Sequence, residues 1–523
     1  MNLGHILRRA ARRHPDRTAL LGRGAEDGVT YETLDGRVDR LVSGLAQLGV
    51  SPGDRVGLLV KNHAAFIETS VAAYRLGALK VPLNTMLTPG DHDHLVSDAD
   101  IDVLVAEAQF ADHCTEMDAR ATHYVVVGAE DAAFPGETHA YESLFDSDTT
   151  PQSVGSRDDP CALMYTSGTT GLPKGVTHTH HTWLSTALSL KTELGQQDGD
   201  VTLHAAPLTH GTGFLVESTM LVGGTNILVD GFDPDDFLEA VDTHGVNSIF
   251  VVPTMIYKLL DTYDADDDDR DLSSLRNLYY AGAPMSAARL REGLDTFGDV
   301  FIQSYGQMEC PMTISVLDHE THRRAAEENE QLLQSAGREV DTAEVRLVDD
   351  KNEPVEQGEL GEITVRSPLA TPGYWELPEK TAETIVDGWL HTGDVGRFDE
   401  DGFLYILDRK KDMIITGGMN VYPREIEEVL ATHTAVSNAA VIGVPDDYWG
   451  EKVIAIIEPR PDAEIENATL RDELEATCET DLAAYKKPKE IDIVTELPRS
   501  SYGKVRKTDL RDQYWGDSER NVN

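Results

Sequence analysis

The centre of the chain alternates short apolar runs with amphipathic helical segments, and this alternation restricts the fold more than any other feature. Pro234 follows Asp233 at a predicted helix start, and Gly245 marks the predicted end of that helix. The apolar run 246–253 behind it predicts a buried strand, and the pattern repeats over 275–306. This β-α-β order predicts an α/β protein with parallel-rich sheets flanked by helices, in which ligands lie at the carboxyl ends of strands.

The repeat over 275–306 contains a strand at 275–282, a helix from near Ser286 to near Gly298, and a second strand at 300–306. The pattern then changes near Asp408. Two short strand-like runs enclose the charged segment 408–412 there, and an amphipathic helix over 423–433 and a strand over 453–459 follow. We therefore place a domain boundary within 408–412.

The charge of the chain is strongly negative. Asp and Glu number 92 against 45 Lys and Arg, and the net charge is −47. Such a surface repels phosphates, which excludes a general nucleic-acid binder. Only 15 of the basic residues are lysine, and the acidic residues are spread along the chain. This pattern is typical of adaptation to high salt, where the Debye length falls to about 3 Å. An acidic protein from a low-salt organism is the alternative.

Several features predict a cytoplasmic protein. The four cysteines stand far apart, which favours reduced thiols over a disulfide framework or a zinc site. The first residues lack the apolar stretch of a signal peptide, and we find no run of about 18 apolar residues that would predict a membrane segment. The sequence is compatible with either a monomer or a homodimer.

The segment YTSGTTGLPKG, residues 165–175, follows a predicted strand and concentrates glycines, hydroxyls and one lysine. Glycines let backbone N–H groups approach an anion, and hydroxyls add donors, so the segment predicts a phosphate cradle. Pro173 and Gly175 flank the lysine, which excludes the nucleotide loop of P-loop NTPases, and 211–216 lacks the third glycine of a Rossmann motif. The candidate phosphate-binding residues are Thr166, Ser167, Gly168, Thr169, Thr170, Gly171 and Lys174.

This loop resembles the phosphate loop of the adenylate-forming superfamily of acyl-CoA synthetases, luciferases and peptide-synthetase adenylation domains. Other motifs occur in the order of that family: AGAPM (281–285), SYGQME (304–309), GELGEI (358–363), GWLHTGD (388–394), DRKKDMIITGG (408–418) and PRSSYGK (498–504). The resemblance spans nearly the whole chain. It implies an N-terminal domain over 1–408 that binds ATP and the acyl group, a hinge at 409–412, and a small mobile α+β C-terminal domain over 413–523.

The resemblance also implies roles for single residues. Tyr305 would stack on adenine, with Gly282, Ala283 and Pro284 lining the other side. Glu309 would help to hold the Mg²⁺ that accompanies ATP. Asp394 would accept hydrogen bonds from the ribose, with Arg409 supporting the same sugar. Our reading of the residues agrees for Tyr305 and Glu309, because both lie at the end of a predicted strand and a magnesium–phosphate site typically uses one or two carboxylates.

The resemblance implies that Lys504, in a Gly-Lys turn, bridges the carboxylate and the α-phosphate during adenylation. Lys411 would be the hinge about which the C-terminal domain rotates. Gly417 and Gly418 would let the pantetheine of coenzyme A pass, and His210 would gate this tunnel beside the acyl pocket. The catalytic candidates are therefore Lys504, Lys174, His210 and Glu309. The sequence departs from the family at Met308, where a threonine often contacts phosphate, so a hydroxyl is missing.

We predict an ATP-dependent, AMP-forming acyl-CoA ligase that uses Mg²⁺ and coenzyme A. A peptide-synthetase module would continue into a carrier domain, so we expect a free acceptor thiol instead. No acidic residue stands near the start of the His210 segment to pair with an amino acid's ammonium group. Gly211 and Gly213 are expected to leave room for the acyl group, with Phe214 beside them. Our first choice of substrate is a medium- or long-chain fatty acid; the alternative is an aryl acid of the coumarate or benzoate type. A catalytically inactive nucleotide-binding regulatory protein is a remote alternative.

Overall fold

The computed structural model describes residues 2–129, 132–146, 153–166, 172–264, 268–283, 285–446, 448–460, 463, 465–499 and 505–515. The chain divides into two compact units. The first comprises Met1–Val345, Thr364–His391 and Gly402–Leu404, and the second comprises Arg346–Ile363, Thr392–Asp401 and Tyr405–Asn523. The long continuous part of the second unit begins close to the predicted hinge, and two earlier segments join it. The domain limits given above stay a prediction.

The helices are α1 (Gly4–Arg13), α2 (Tyr31–Gln47), α3 (Ala64–Leu76), α4 (Pro89–Asp98), α5 (Ala111–Glu116), α6 (His180–Glu193), α7 (Leu215–Leu221), α8 (Pro234–His244), α9 (Pro253–Thr262), α10 (Ala287–Phe297), α11 (His319–Glu328), α12 (Pro378–Thr384), α13 (Pro423–Leu430), α14 (Asn467–Asp481) and α15 (Lys507–Trp515). Short 3₁₀ turns cover Ala108–Phe110, Tyr141–Asp146, Gly211–Phe214 and Glu330–Gln334. None of the described helices is both long enough and apolar enough to cross a membrane.

The strands of the first 345 residues are β1 (Thr18–Gly22), β2 (Ala25–Thr30), β3 (Arg55–Leu59), β4 (Leu79–Pro82), β5 (Val103–Glu107), β6 (His123–Val127), β7 (Glu137–Ala140), β8 (Pro160–Thr166), β9 (Lys174–Thr179), β10 (Val201–His204), β11 (Thr225–Leu228), β12 (Ser248–Val251), β13 (Asn277–Tyr280), β14 (Phe301–Gln307), β15 (Cys310–Leu317) and β16 (Arg338–Glu339). The later strands are β17 (Glu344–Val348), β18 (Gly361–Arg366), β19 (Gly373–Tyr374), β20 (Ile385–Val386), β21 (Trp389–Phe398), β22 (Leu404–Arg409), β23 (Ile414–Thr416), β24 (Met419–Val421), β25 (Val436–Asp446), β26 (Gly450–Pro459) and β27 (Glu490–Ile493).

The first unit carries two large sheets. One has the strand order β16-β15-β14-β13-β12-β10-β11-β1-β2, and its strands from β14 to β1 are parallel. The other has the order β19-β9-β8-β4-β3-β5-β6-β7, and its strands from β8 to β7 are parallel. Antiparallel strands close the edges at β15, β16 and β2 and at β9 and β19. The predicted parallel-rich α/β fold is confirmed.

Two smaller sheets follow in the chain. One has the order β17-β18-β21-β20, with β22 paired to β21. The other, in the second unit, has the order β24-β23-β26-β25, with β27 paired to β26. Helices α13 and α14 cover one face of this last sheet through a core that includes Ile426, Leu430 and Leu474. Helix α15 covers the other face through Leu510. The predicted small α+β unit is present.

The predicted β-α-β repeat is confirmed element by element. Helix α8 begins after Asp233, whose side chain accepts hydrogen bonds from the first-turn amides, and it ends at Gly245 with a left-handed φ of 63°. Strand β12 follows, and β13, α10 and β14 repeat the unit. Because β12, β13 and β14 are parallel neighbours, their carboxyl ends meet at one edge of the sheet.

Candidate functional site

The phosphate-loop segment connects two antiparallel strands at the edge of the parallel part of a sheet. Strand β8 ends at Thr166 and strand β9 begins at Lys174, and these two residues are partners across the pair. Lys174 is half-buried. The predicted donors Ser167, Gly168, Thr169, Thr170 and Gly171 lie outside the described residues, so their role stays a prediction.

Glu309 lies in the tight turn between β14 and β15, at the carboxyl end of the parallel strands. The Tyr374 hydroxyl donates a hydrogen bond of 2.7 Å to Oε1 of Glu309. The Lys174 ammonium lies 5.4 Å from the centre of the Tyr374 ring. The structure thus brings Lys174 and Glu309, two predicted residues, close to one tyrosine, and we call these three residues the carboxylate corner.

Tyr374 reaches this corner through a short strand pairing. Strand β19 pairs antiparallel with β9, with Tyr374 opposite Val176. The Thr371 hydroxyl donates to the Thr177 carbonyl at 2.5 Å, and the Thr371 amide donates to the Glu309 carbonyl at 2.7 Å. The sequence analysis missed Tyr374, because it lies 65 residues after Glu309 and no local pattern identifies it. Its hydroxyl contacts the residue that directly follows Met308.

His178, also missed, supports the residue before Glu309. Its Nε2–H donates to the Met308 carbonyl at 3.0 Å, and the side chain is fully buried. Burial lowers the pKa of His178 to about 4, so the ring stays neutral and the donor is retained at neutral pH. A histidine in the run THTHH carries no signal that distinguishes this role.

The predicted adenine-binding residues come from neighbouring parallel strands. Gly282 and Ala283 follow β13 and are exposed, and Tyr305 lies in β14. Tyr280 of β13 pairs with Gln303 of β14, so the two segments leave the same edge of the sheet. Gly282 has a φ of 86°, a conformation that favours glycine. Pro284 lies outside the described residues.

The expectation that Gly211 and Gly213 leave open room is wrong. A Cβ on Gly211 would lie 2.8 Å from the Phe250 ring, and a Cβ on Gly213 would lie 2.1 Å from the Leu208 carbonyl oxygen. Both glycines therefore allow close packing of other groups. Phe214 is also buried, because it stacks on Trp183 with ring centres 4.3 Å apart. The half-buried His210 precedes the turn Gly211–Phe214, and its carbonyl accepts from the Gly213 amide at 2.9 Å.

The second unit contains the predicted ribose-binding pair. Nε of Arg409 lies 3.3 Å from Oδ1 of Asp394. The Asp394 side chain is 8% exposed, whereas that of Arg409 is 49% exposed. The Asp394 amide donates to the Thr392 hydroxyl at 3.1 Å, which fixes the backbone beside the carboxylate. The two residues that the resemblance assigns to one sugar are thus in contact.

The predicted hinge is a tight turn. The Asp412 amide donates to the Arg409 carbonyl at 2.9 Å, so Lys411 is the second central residue of a four-residue turn. Lys411 is half-buried, and burial lowers its pKa to about 8. Its role as a hinge stays a prediction. Arg511 of α15 donates to Oδ1 of Asp412 at 2.8 Å and connects the turn to this helix. Lys504 lies outside the described residues.

Gly417 and Gly418 form a two-residue hairpin turn between β23 and β24. Their φ angles are 57° and 77°, and Thr416 pairs with Met419 across the turn. Positive φ at both positions is typical of a type I′ turn, which by itself favours two glycines. The Gly417 amide donates to the Trp449 carbonyl at 2.7 Å, and a Cβ on Gly417 would lie 3.0 Å from the Trp449 ring. The partly exposed Trp449 was not predicted as a site residue.

The chain is similar to known protein families and to individual proteins over most of its length. Residues 7–375 match the family of AMP-binding enzymes, and residues 425–504 match the AMP-binding enzyme C-terminal domain. A feruloyl-CoA synthase from Amycolatopsis sp is 40% identical over 510 residues, which cover 97% of this chain and 98% of the relative. The medium/long-chain-fatty-acid–CoA ligase FadD8 from Mycobacterium tuberculosis is 34% identical over 540 residues, covering 99% and 91%.

A solved structure of similar fold contains a reaction intermediate. The o-succinylbenzoate CoA synthetase MenE from Bacillus subtilis, in complex with the acyl-adenylate intermediate, superposes with a TM-score of 0.83 and is 30% identical. The match covers 99% of both chains.

Proposed function

Because the chain belongs to the family of AMP-binding enzymes, we propose that it converts an aromatic carboxylic acid of the coumarate or benzoate type to its coenzyme A thioester. The protein is an AMP-forming acid–CoA ligase that uses ATP, Mg²⁺ and coenzyme A. The part that we propose is the substrate class and the role of each residue. A fatty acid was our first choice from the sequence alone, and the comparisons favour the aryl alternative.

The reaction has two steps. A carboxylate oxygen attacks the α-phosphorus of ATP, the bond from that phosphorus to the bridging oxygen breaks, and pyrophosphate leaves. The thiolate sulfur of coenzyme A then attacks the acyl carbon, the bond to the AMP oxygen breaks, and AMP leaves. Negative charge accumulates in the first step, so cations and hydrogen-bond donors must already be in place.

The carboxylate corner has the chemistry that the first step needs. Lys174 supplies a positive charge for the phosphates. Within the described residues, Tyr374 alone donates a hydrogen bond to the Glu309 carboxylate, so the second oxygen is left for another ligand. A magnesium ion bound with phosphates typically takes one or two carboxylates, and this donor set fits it. We propose that Glu309 holds Mg²⁺ and that Tyr374 orients the carboxylate.

The nucleoside would lie against the residues at the carboxyl ends of β13 and β14. Gly282 and Ala283 present exposed backbone without large side chains, and Tyr305 offers a half-buried ring on which adenine can stack. In the second unit, the buried Asp394 carboxylate can accept hydrogen bonds from ribose hydroxyls, and the Arg409 guanidinium beside it orients the carboxylate. We assign these roles from the family resemblance and from the contacts within each unit.

The main support for an aromatic substrate is the similarity to feruloyl-CoA synthase, which is 40% identical over nearly the full length of both chains. The packing at Gly211 supports it. The Phe250 ring fills the space beside this glycine, and Phe250 also meets Tyr279 edge to face with ring centres 5.4 Å apart. A wall of two aromatic rings suits a flat ring better than a long flexible chain, because aromatic pairs gain from stacked and edge contacts.

A fatty acid is the second candidate, supported by the similarity to the mycobacterial fatty-acid–CoA ligase. For either acid, the acceptor thiol would pass the hairpin turn at Gly417 and Gly418. Trp449 beside this turn is 39% exposed, and Lys489 lies 5.2 Å from its ring centre. We propose that this surface of the second unit binds coenzyme A, with the indole as an apolar contact and the lysine near phosphate.

The test is pyrophosphate release in molar KCl over a panel of acids, each with and without coenzyme A. The panel contains ferulate, 4-coumarate, benzoate, octanoate and palmitate, with ferulic acid methyl ester as a control that lacks the carboxylate. We expect kcat/KM for the best aromatic acid to exceed that of either fatty acid at least tenfold, with multiple turnovers only when coenzyme A is present. A preference for a fatty acid would overturn the aryl proposal and leave the ligase assignment intact.

A further inference from the structure

Two histidines and a glutamate come together on neighbouring strands, away from the carboxylate corner. Strands β6 and β7 are parallel, with His123 opposite Glu137 and Val125 opposite His139. Side chains two residues apart on a strand share a face, so His123, Glu137 and His139 project to the same side of the sheet. We call these three residues the histidine–glutamate cluster. It lies on the last strand pair of the eight-stranded sheet.

The polar atoms of the cluster lie close to one another. Nδ1 of His123 lies 3.1 Å from Nε2 of His139 and 3.4 Å from Oε2 of Glu137. Nε2 of His139 lies 3.7 Å from Oε1 of the same carboxylate. Metal–ligand bonds of about 2.0–2.2 Å at tetrahedral angles place ligand atoms roughly 3.3–3.6 Å apart. The separations of 3.1 Å and 3.4 Å are close to the edges of such a tetrahedron. The two carboxylate distances end on different oxygens of Glu137, and one ligand atom from each of the three residues lies within 4.8 Å of the other two.

Hydrogen bonding alone accounts for this arrangement less well. The same nitrogen of each histidine faces both the other ring and the carboxylate. A neutral imidazole nitrogen either donates one hydrogen or accepts one, so a single proton between the rings leaves at least one of these contacts without a donor. A cation at the centre satisfies all three lone pairs together.

The ligand types select the metal. Two imidazoles and one carboxylate suit zinc and similar first-row transition ions, whereas Mg²⁺ and Ca²⁺ prefer oxygen ligands. The histidine side chains are 20% and 21% exposed and the glutamate is 65% exposed, so an ion can enter from solvent and a fourth position can hold water. The backbone of both strands is held by the sheet, which positions the ligands before the ion arrives.

The cysteines of the chain do not compete for such an ion. All four are buried and free. Burial raises the pKa of Cys114 and Cys310 to about 12 and that of Cys478 to about 11, and it raises the pKa of Cys161 as well. Thiolates, the form that binds metals, are therefore scarce at neutral pH.

We propose that His123, Glu137 and His139 form a binding site for one zinc-class divalent ion that connects β7 to the rest of the sheet. The site is independent of the acid–CoA ligase reaction. Its occupation raises the stability of the folded chain, because an ion that binds the folded state alone shifts the unfolding equilibrium. Among the described strands, β7 pairs with β6 alone in this sheet, and a bound ion adds a second connection.

The test is isothermal titration of the full-length protein with ZnCl₂ in an excess of MgCl₂. The excess Mg²⁺ is needed because a net charge of −47 attracts divalent ions without a specific site. We expect one Zn²⁺ per chain to bind with an affinity that Mg²⁺ does not reduce. His139→Ala should lower this affinity at least tenfold, and Glu137→Gln should lower it less. Each variant should keep the far-ultraviolet circular dichroism and the ligase activity of the natural chain.

A matched control is His433→Ala. His433 is also a half-buried histidine in contact with a glutamate, with Nε2 2.8 Å from Oε2 of Glu473, but these two residues belong to no three-residue group of possible metal ligands in the part of the chain that the structure describes. This variant should bind Zn²⁺ as the natural chain does. Substitution of Co²⁺ for Zn²⁺ gives a second readout, since bound Co²⁺ should show visible absorption bands that His139→Ala loses. Equal Zn²⁺ affinity in the natural chain and in His139→Ala would overturn the proposal, as would an equal loss in His433→Ala.

Discussion

The Tyr374 hydroxyl donates a hydrogen bond of 2.7 Å to Oε1 of Glu309, although the two residues lie 65 positions apart in the chain. This contact depends on the pairing of β19 with β9, which also places the Tyr374 ring 5.4 Å from the Lys174 ammonium. The tyrosine therefore holds the one carboxylate that we assign to Mg²⁺. The residue before this carboxylate, Met308, has no hydroxyl, whereas the Tyr374 hydroxyl contacts the carboxylate directly.

Glu309→Gln should reduce ferulate-dependent exchange of pyrophosphate into ATP by about 10²-fold or more, because a charged ligand to the metal is lost. Tyr374→Phe should reduce the same rate about tenfold, since a hydrogen bond to a charged group contributes roughly 1.5–3 kcal/mol. The Mg²⁺ concentration for half-maximal rate should rise in both variants. Tyr263→Phe is the control, because Tyr263 stacks on Phe297 outside this corner. An unchanged Mg²⁺ dependence in Glu309→Gln would contradict the assignment.

Lys504→Ala should separate the two half-reactions. Loss of a positive charge at the reacting carboxylate should slow adenylation by about 10²–10³-fold or more. Thioester formation from supplied feruloyl adenylate should continue at nearly the normal rate. Both rates can be measured on one preparation, by pyrophosphate exchange and by appearance of the thioester. An equal fall in the two rates would show that Lys504 has a structural role.

Lys411→Pro should have the opposite effect on the half-reactions. Proline fixes its own φ near −65° and restricts the backbone of the preceding Lys410, so the Arg409–Asp412 turn should lose the freedom that a hinge needs. Pyrophosphate exchange should stay within a few-fold of normal while coenzyme A-dependent turnover collapses. Lys411→Ala, which keeps backbone freedom, should retain both activities. If Lys411→Pro changed pyrophosphate exchange and coenzyme A-dependent turnover by the same factor, the assignment of Lys411 as the hinge would be contradicted.

Gly211→Ala tests the proposed aromatic wall. The new Cβ would lie 2.8 Å from the Phe250 ring, so the ring must move. The backbone at Gly211 does not have a positive φ, so alanine causes no conformational strain there. We expect kcat/KM for ferulate to fall at least tenfold while the KM for ATP changes little. A uniform loss over aromatic and fatty acids alike, with an unchanged melting temperature, would place Phe250 outside the acyl pocket.

Activity should rise toward molar KCl, and the protein should unfold in dilute buffer. The reason is the net charge of −47: at low salt the acidic side chains repel one another, and at molar salt the screening length is about 3 Å. Thermal unfolding followed by circular dichroism across a KCl series measures the effect. Sucrose at matched osmolarity is the control for excluded volume. Full activity and an unchanged melting temperature at low salt would contradict the salt adaptation.

Local patterns predicted the elements well. Helix α8 has its N-cap at Asp233 and its left-handed C-cap at Gly245, as the residue types indicate, because capping depends on a few neighbouring side chains. The strands β12 and β13 also lie within their predicted ranges, and β14 extends one residue beyond its range, to Gln307. The motifs around Lys174, Glu309 and Asp394 identify the family because such loops need particular residue types at fixed spacing.

Contacts between distant segments were decided by packing alone. The sequence does not reveal that Phe250 occupies the space beside Gly211, so the two glycines there suggested an open pocket. It does not reveal Tyr374 beside Glu309, or the convergence of His123, Glu137 and His139, because each depends on which strands become neighbours and in which register. Residue types and their spacing determine local structure and the chemistry that a loop can perform. Long-range pairing of strands determines which of those side chains meet, since it is selected by the packing of the whole core.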